Sequence, residues 1–216
     1  MSLPSPSKIV CIGRNYREHA AELGNAVPTQ PLFFLKPPSA LIGPGEAIEL
    51  PPQSHEVHYE AELALVIGRK ATCVDETQAW DFVAGLTVLN DVTARDIQRA
   101  ENRFTRAKGF DTFCPVLDTH LPTTAWGTTL LGARIQCFVD GERRQDAALS
   151  DMVFGPAALV AYVSQHQSLW PGDLLATGTP AGVGRLDAGQ TVEVRLVDAR
   201  GATLLSLSNP VRLRGQ

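Results

Sequence analysis

Three acidic residues in two short segments could together bind one divalent cation. Glu60 and Glu62 are separated by a single residue in segment 58–68, which is predicted to be a β-strand. Because residues two apart in a strand point to the same face, both carboxylates can approach one point. Asp91 follows a second apolar run, 82–89. An all-oxygen ligand set is typical of Mg²⁺, Mn²⁺ or Ca²⁺ and not of Zn²⁺, and three protein ligands would leave positions for substrate and water.

A pair of glutamates two residues apart is also typical of the solvent-facing side of an amphipathic sheet. Here, however, Glu62 leads directly into the apolar segment 63–67, and Asp91 also lies next to an apolar run. An acidic side chain beside a buried strand needs a partner, because an uncompensated charge in apolar surroundings is costly. The neighbouring residues therefore favour a metal site and indicate a metal-dependent enzyme.

Two further positions could move protons or stabilise charge. His19 and Glu22 are three residues apart in a predicted helix, so they would share one face, where the carboxylate can orient the imidazole. Such a pair could activate a water molecule as a general base. Lys108 lies close to Phe110 and could stabilise an oxyanion or a carboxylate. The alternative for each is a solvated surface position, which these segments alone favour.

Segment 177–184 contains three glycines and follows a predicted strand, 173–176. Glycine allows the backbone to approach a ligand closely. The segment has neither the Gly-Lys-Ser/Thr of a Walker loop nor the glycine spacing of a dinucleotide-binding loop. It is either a structural turn or a loop that contacts substrate.

The predicted elements that must position these residues are mostly strands. Helices are predicted at 15–23, 75–83 (with a capping box from Asp75 to Gln78), 94–103 and 156–165. Strands are predicted at 8–13, 31–36, 135–139, 142–145, 191–197 and 203–208, with a tight hairpin at Asp140-Gly141. Because strands outnumber helices and come in hairpins, the pattern predicts a β-rich α+β fold and not a doubly wound sheet.

The overall composition is that of a globular protein without a basic surface for nucleic acid. Of 216 residues, 44% are hydrophobic and 19% charged, and the net charge is −4, so no nucleic-acid partner is expected. We expect a flexible N-terminal tail at 1–7 and a single catalytic domain at 8–216. No run has the length of a membrane span and no signal segment is evident, which predicts a cytoplasmic protein without membrane contact. The cysteines form no Cys-x-x-Cys pair and are expected to be buried in a reducing compartment: Cys11, Cys73, Cys114 and Cys137.

Taken in order along the chain, these motifs resemble the fumarylacetoacetate hydrolase family, and especially its small single-domain acylpyruvate hydrolases and oxaloacetate decarboxylases. The resemblance runs from about Ile9 to the C-terminus. The motifs that carry it are Gly13-Arg14-Asn15-Tyr16 with His19 and Glu22, Phe34-Leu35-Lys36-Pro37, Tyr59-Glu60-Ala61-Glu62-Leu63, Asn90-Asp91-Val92-Thr93-Ala94-Arg95-Asp96, Lys108 with Phe110 and Asp111, and Thr177-Gly178-Thr179-Pro180. The resemblance implies a mixed-sheet β-roll, usually a homodimer, that binds Mg²⁺ or Mn²⁺.

The resemblance also implies roles for individual residues. Glu60, Glu62 and Asp91 match the metal ligands of the family. His19 with Glu22 matches the dyad that handles the catalytic water on a lid helix, and Lys108 matches the lysine beside the metal. Contacts to substrate oxygens fall at four further positions: Arg14, Arg95, Gln98 and Thr179.

The implied activity is hydrolysis of a C–C bond in an acylpyruvate-type 2,4-dioxo acid through a metal-stabilised enolate. Oxaloacetate decarboxylation and isomerisation of 2-hydroxyhepta-2,4-diene-1,7-dioate are the alternatives, since each passes through a related enolate. Fumarylacetoacetate itself is disfavoured, because Ile12 stands where the larger fumarylacetoacetases carry an additional acid. A non-catalytic metal-binding protein is a rival that the complete set of matching residues disfavours. A cupin is disfavoured because neither His55 nor His58 has a histidine partner at suitable spacing.

Overall fold

The computed structural model describes residues 5–22, 24–101, 103–127 and 129–215. Helices are few and mostly short: α1 (Arg17–Glu22), α2 (Arg95–Glu101), α3 (Thr105–Lys108) and α4 (Pro156–His166), with 3₁₀ turns at Pro38–Ala40, Glu76–Phe82, Thr123–Ala125 and Leu149–Asp151. The strands are β1 (Ile9–Gly13), β2 (Leu32–Lys36), β3 (Leu41–Ile42), β4 (Ile48–Leu50), β5 (Val57–Tyr59), β6 (Ala61–Ile67), β7 (Val83–Asn90), β8 (Thr93–Ala94), β9 (Cys114–Pro115), β10 (Leu121–Pro122), β11 (Arg134–Val139), β12 (Glu142–Ala148), β13 (Leu174–Ala176), β14 (Gly184–Arg185), β15 (Thr191–Val197) and β16 (Thr203–Leu213).

Two large mixed sheets organise the molecule. The first has the strand order β10-β7-β6-β13-β1-β2 and is antiparallel except where β1 pairs with β13. The second has the order β12-β11-β15-β16-β4 and is antiparallel except where β16 pairs with β4. Smaller sheets are formed by β14-β5-β8 and by β3-β9. The predicted β-rich α+β class with mixed sheets is confirmed.

The main core lies where the two large sheets contribute to one apolar cluster. All seven residues of β6 are buried, as expected of a central strand that is covered on both faces. β11 alternates instead, so that Ile135, Cys137 and Val139 are buried in the same cluster as Leu63 of β6. This burial of apolar surface is the dominant stabilising contribution and fixes the strand register around the predicted site.

The predicted hairpin at Asp140-Gly141 is present between β11 and β12. Asp140 and Gly141 both have positive φ, 50° and 81°, as a two-residue turn of the primed type requires. The predicted strand pair near the C-terminus is also present as β15 and β16, which are antiparallel partners. The helix predicted at 156–165 corresponds to α4.

The helix predicted at 75–83 is wrong in type and in extent. The segment is a 3₁₀ helix, Glu76–Phe82, and Asp75 makes no side-chain capping bond. Val83 instead starts β7 and pairs with Ile67. Sheet pairing therefore ends the helical segment, which illustrates how tertiary contacts override local propensity.

Three other predicted elements differ at their boundaries. The strand predicted at 58–68 is interrupted at Glu60, whose backbone N–H donates to the side-chain oxygen of Asn90 at 2.8 Å and not to a backbone carbonyl. The helix predicted at 94–103 ends at Glu101, and α3 follows it. The helix predicted at 15–23 begins only at Arg17; Leu23, like Asn102, lies outside the described residues.

The expectation that all four cysteines are buried is wrong for Cys73. Cys73 is exposed and has a φ of 50°, a left-handed backbone state that occurs mainly outside helices and strands. The other three are buried and unpaired. Among the described residues, no helix has both the length and the apolar character needed to cross a bilayer.

Candidate active site

Strand pairing brings the three predicted carboxylates together. β6 and β7 are antiparallel, with Ala61 opposite Asn90, so Glu60 and Asp91 lie side by side at the end of the pair. The Asp91 backbone N–H donates to the Glu60 carbonyl oxygen at 2.8 Å. One carboxylate oxygen from each of Glu60, Glu62 and Asp91 lies within 4.8 Å of the other two, and all three residues are buried.

Two of the carboxylates are neutralised by buried cations. The Lys108 ammonium donates to Glu60 Oε2 at 2.7 Å and to Asp91 Oδ2 at 2.6 Å. Lys36 donates to Asp91 Oδ1 at 2.7 Å, and Arg95 forms an ion pair with Glu60. Burial alone would raise the pKa of Glu60, but the charges of Lys108 and Arg95 outweigh it and hold that pKa below its usual range.

Glu62 is in a different environment. Its Oε2 accepts a hydrogen bond from the Gly178 backbone N–H at 2.8 Å. Burial raises the pKa of Glu62 well above its usual range, and the neighbouring charges of Asp91 and Glu60 raise it further. A third negative charge is therefore unfavourable here unless another cation joins the cluster.

The donor set fits a hard divalent ion. Carboxylate oxygens are the ligands that Mg²⁺ and Mn²⁺ prefer, and a cation at this point would stabilise the charged form of Glu62. Lys36 and Lys108 would be second-sphere groups in that arrangement, because each already donates to a ligand oxygen.

The carboxylates open into a cavity of about 330 Å³. Every predicted site residue except Glu22 lines it: Arg14, His19, Glu60, Glu62, Asp91, Arg95, Gln98, Lys108 and Thr179. Aromatic side chains of Phe34 and Phe104 form another part of the wall, stacked edge to face with ring centroids 5.0 Å apart. This volume lies at the lower end of the range of small-molecule binding sites.

His19 and Glu22 form the predicted pair. His19 Nδ1 lies 3.1 Å from Glu22 Oε2, and only 5% of His19 is exposed, so it is not a solvated surface residue. The other carboxylate oxygen of Glu22 accepts from the Gly182 backbone N–H at 3.0 Å. Glu22 therefore both contacts the imidazole and connects α1 to the glycine-containing segment, while His19 faces the cavity.

The residues predicted to contact substrate differ in how many hydrogen bonds their polar atoms already make. Arg95 Nη1 donates to Gln98 Oε1 at 2.6 Å, while its buried Nε has no hydrogen-bond partner among the described residues. Arg14 has a φ of 59°, an uncommon backbone state of the kind found at functional sites. The Thr179 hydroxyl already donates to the Ala61 carbonyl oxygen at 3.0 Å and accepts from Gln145 Nε2 at 2.8 Å, so towards a ligand it can act only as an acceptor, through its second lone pair.

Sequence reasoning missed Lys36 and the Gly178 N–H. Lys36 ends the apolar strand β2 and is 1% exposed, and its Nζ also donates to the Val92 carbonyl oxygen at 3.1 Å. A lysine that directly continues an apolar strand was the available signal, since a lysine is buried only with a partner. A backbone donor such as Gly178 N–H has no side-chain signature.

Comparison with known proteins identifies the family. Residues 8–212 match the model of the fumarylacetoacetate (FAA) hydrolase C-terminal family, so the chain belongs to it. It is 44% identical over 190 residues to the mitochondrial oxaloacetate tautomerase FAHD1 of Arabidopsis thaliana, covering 86% of this chain and 84% of that one. It is 41% identical over 191 residues to the mitochondrial oxaloacetate decarboxylase of Dictyostelium discoideum, covering 86% and 87%.

Solved structures of family members have the same architecture. The 2-hydroxyhepta-2,4-diene-1,7-dioate isomerase of Mycobacterium marinum superimposes with a TM-score of 0.85 at 39% identity, over 100% of this chain and 77% of that one. The fumarylpyruvate hydrolase of Pseudomonas aeruginosa, in complex with Mn²⁺ and pyruvate, superimposes with a TM-score of 0.84 at 33% identity, over 97% and 91%. The named relatives are thus enzymes that differ in reaction.

Proposed function

We propose that this protein is a divalent-metal-dependent hydrolase that cleaves a C–C bond in acylpyruvate-type 2,4-dioxo acids. Glu60, Glu62 and Asp91 would hold Mg²⁺ or Mn²⁺. When bound, the ion would supply a site for the carboxylate and 2-oxo oxygens of the substrate and would polarise the ketone. The fumarylpyruvate hydrolase with Mn²⁺ and pyruvate supports this substrate class by similarity.

His19 would act as the general base. It would take a proton from water while Glu22 stabilises the imidazolium. The water oxygen then bonds to the distal acyl carbon while the π pair of that carbonyl moves to its oxygen. When this pair re-forms the carbonyl, the bond between the acyl carbon and C3 breaks, and its electron pair remains on the pyruvate fragment as an enolate. The His19 imidazolium returns its proton to C3, which gives pyruvate, and the acyl fragment leaves as a carboxylic acid.

Cations of the chain itself would stabilise the negative charge that develops. Lys108, held between Glu60 and Asp91, lies in the cavity wall beside the expected position of the 2-oxo group. Arg14 and Arg95, with Gln98, would orient the carboxylate-bearing end of the substrate. Thr179 would accept a hydrogen bond from a ligand hydroxyl.

One observation carries the proposal: the cavity is lined both by the carboxylate triad and by a buried histidine paired with a carboxylate. Decarboxylation through a stabilised enolate needs no general base, whereas hydrolysis needs one to activate water. The test follows the ultraviolet absorbance of enolic acetylpyruvate with Mg²⁺ or Mn²⁺ and with EDTA. We expect metal-dependent decay that yields equal amounts of pyruvate and acetate. Metal-dependent binding without these products would contradict the proposal.

Oxaloacetate chemistry is the second candidate, since the two curated relatives above are named for it. Decarboxylation of oxaloacetate would give pyruvate and CO₂ through the same type of enolate, and tautomerisation would require only proton transfer. Neither needs water to attack carbon. Parallel assays of acetylpyruvate and oxaloacetate, with wild type and His19→Ala, would distinguish the candidates. A loss confined to acetylpyruvate supports the hydrolase, whereas negligible acetylpyruvate turnover with fast oxaloacetate turnover supports the second candidate.

A further inference from the structure

Asn15 is a buried residue outside the predicted machinery that contacts two segments of the site. It lies between β1 and α1 and is fully buried. Its Nδ2 donates to the Thr177 carbonyl oxygen at 2.7 Å and to the Phe154 carbonyl oxygen at 3.0 Å. Its Oδ1 accepts from the Phe154 backbone N–H at 2.8 Å. The amide thus uses both N–H donors and its oxygen on backbone groups.

The bond to Thr177 bears directly on Glu62. The Thr177 carbonyl and the Gly178 N–H belong to one peptide unit, which is planar and trans, so the two groups point in opposite directions. Asn15 holds the carbonyl end of this unit, and the N–H end donates to Glu62 Oε2 at 2.8 Å. Rotation of the peptide would break both bonds together.

Close packing fixes the same peptide from a second side. Gly178 has a φ of 96°, and a Cβ built there would lie 2.8 Å from the Asn15 Cβ and 3.1 Å from the Ile12 carbonyl oxygen. The end of β1 and the loop that follows it therefore pack against the glycine backbone, and a side chain at this position would separate the two segments.

We propose that Asn15 is a positioning residue for Glu62, acting through the Thr177–Gly178 peptide. The inference rests on the proposed metal site. Asn15 lies just before α1, which carries His19. One amide side chain therefore ties the start of the base-bearing helix to the peptide that orients a metal ligand. Loss of the amide should release the N–H from Glu62 and weaken metal binding without removing any ligand.

The test compares Asn15→Ala with Asn209→Ala. Asn209 is a matched control, because it is 1% exposed and its Nδ2 also donates to two backbone carbonyls, those of Gly43 and Glu46, both at 2.8 Å. Mn²⁺ affinity is measured on metal-stripped protein from the electron paramagnetic resonance signal of free Mn²⁺, which needs no substrate. We expect affinity about 10–100-fold weaker in Asn15→Ala, as for other outer-shell partners of metal ligands, and near wild type in Asn209→Ala.

The outcomes distinguish failure of the proposed metal site from failure of the positioning role. If wild type fails to bind Mn²⁺, the proposed metal site itself is wrong. If wild type binds and Asn15→Ala binds equally well, the positioning role is overturned while the site stands. Equal weakening in both variants also overturns it, because the effect is then general destabilisation. If an alanine variant does not fold, Asn15→Ser and Asn209→Ser make the same comparison with smaller cavities.

Discussion

Among single residues, Glu62 is the carboxylate whose charge the metal-free protein tolerates least. Glu60 and Asp91 are neutralised by Lys108, Lys36 and Arg95, whereas Glu62 accepts from a neutral backbone N–H. Burial is the main cause of its raised pKa, and the charges of Asp91 and Glu60 are the next causes. Metal binding at the proposed site would offset this unfavourable charge.

We therefore expect Glu62→Gln to change stability and metal binding in opposite directions. Without metal, the variant should be more stable than wild type at neutral pH by about 1 kcal/mol, or roughly 2–4 °C in melting temperature for a chain of this size. Its Mn²⁺ affinity should fall sharply, because a ligand charge is lost. Calorimetric melting in EDTA and Mn²⁺ titration check the two effects.

The pH dependence of this difference has a definite sign. Because folding raises the pKa of Glu62, protonation of this carboxyl stabilises the metal-free folded protein. The stabilisation is complete below the ordinary pKa of 4.5 and is lost as pH rises through the folded-state pKa. The stability advantage of Glu62→Gln in EDTA should accordingly grow as pH rises above 4.5. An advantage that shrinks over this range would contradict the assigned environment of Glu62.

The sequence was sufficient to predict that the three carboxylates converge, but not which groups contact them. Alternation in a strand predicted that Glu60 and Glu62 would converge, and the apolar run before Asp91 predicted its burial. The partners of Asn15 and Lys36, Thr177 and Asp91, lie far away along the chain. Burial of Lys36 had a local signal in the apolar strand before it, whereas the role of Asn15 depends on a distant backbone carbonyl and has no local pattern.

Among the elements, α1 is short and depends on contacts outside itself. It has six residues, too few for an isolated helix to be stable, and Glu22 connects it to Gly182 at 3.0 Å. The position of His19 over the cavity therefore depends on the carboxylate of Glu22 as well as on the helix.

We predict that Glu22→Ala will lower acylpyruvate turnover about as much as His19→Ala, by roughly 10²–10⁴-fold for loss of a general base. Glu22→Gln, which keeps an acceptor for the Gly182 N–H, should retain more activity than Glu22→Ala. Steady-state rates at saturating metal check this, with Glu18→Ala, an exposed position of the same helix, as the control. Full activity in Glu22→Ala would show that α1 is placed without this contact.

The helix predicted at 75–83 is wrong because of contacts with a distant segment. The capping box at Asp75 was a sound local signal, but Gly68 and Arg69 donate to the Phe82 carbonyl oxygen and Val83 enters the sheet. The Asp140-Gly141 turn was predicted correctly because its geometry depends on those two residues alone. Local chemistry decides turns, whereas pairing with distant strands decides where helices end.

For the whole molecule, Asp173 joins the beginning of the described chain to the central sheet. It accepts from Ser7 N at 2.9 Å and Lys8 N at 3.1 Å, pairs with Lys8 Nζ at 2.5 Å, and accepts from Trp170 N at 2.8 Å. Burial raises the pKa of Asp173, but these bonds outweigh it and lower the pKa below its usual value.

Two expectations about the whole molecule stay predictions. They are the division into a tail at 1–7 and a single domain at 8–216, and the assembly as a homodimer.

Asp173→Asn should destabilise the protein by about 1.5–3 kcal/mol at neutral pH, the range for hydrogen bonds to a charged group. Because the folded-state pKa is depressed, the stabilisation is present above the ordinary value of 3.8 and is lost as pH falls through the folded pKa. Urea unfolding in EDTA at neutral pH and near pH 3 measures the difference in unfolding free energy between wild type and Asp173→Asn. The control is Asp198→Asn, since Asp198 Oδ1 accepts hydrogen bonds from two backbone N–H groups. A difference that does not narrow in acid would contradict this account.

We propose that Glu60, Glu62 and Asp91 hold one divalent cation at the base of the cavity. Anomalous diffraction at the manganese edge, from crystals of the protein grown with Mn²⁺, would locate this ion. We expect one anomalous peak about 2.0–2.6 Å from a carboxylate oxygen of each residue, and its loss in Glu62→Gln crystals. A peak elsewhere, or none at Mn²⁺ concentrations that support turnover, would contradict it.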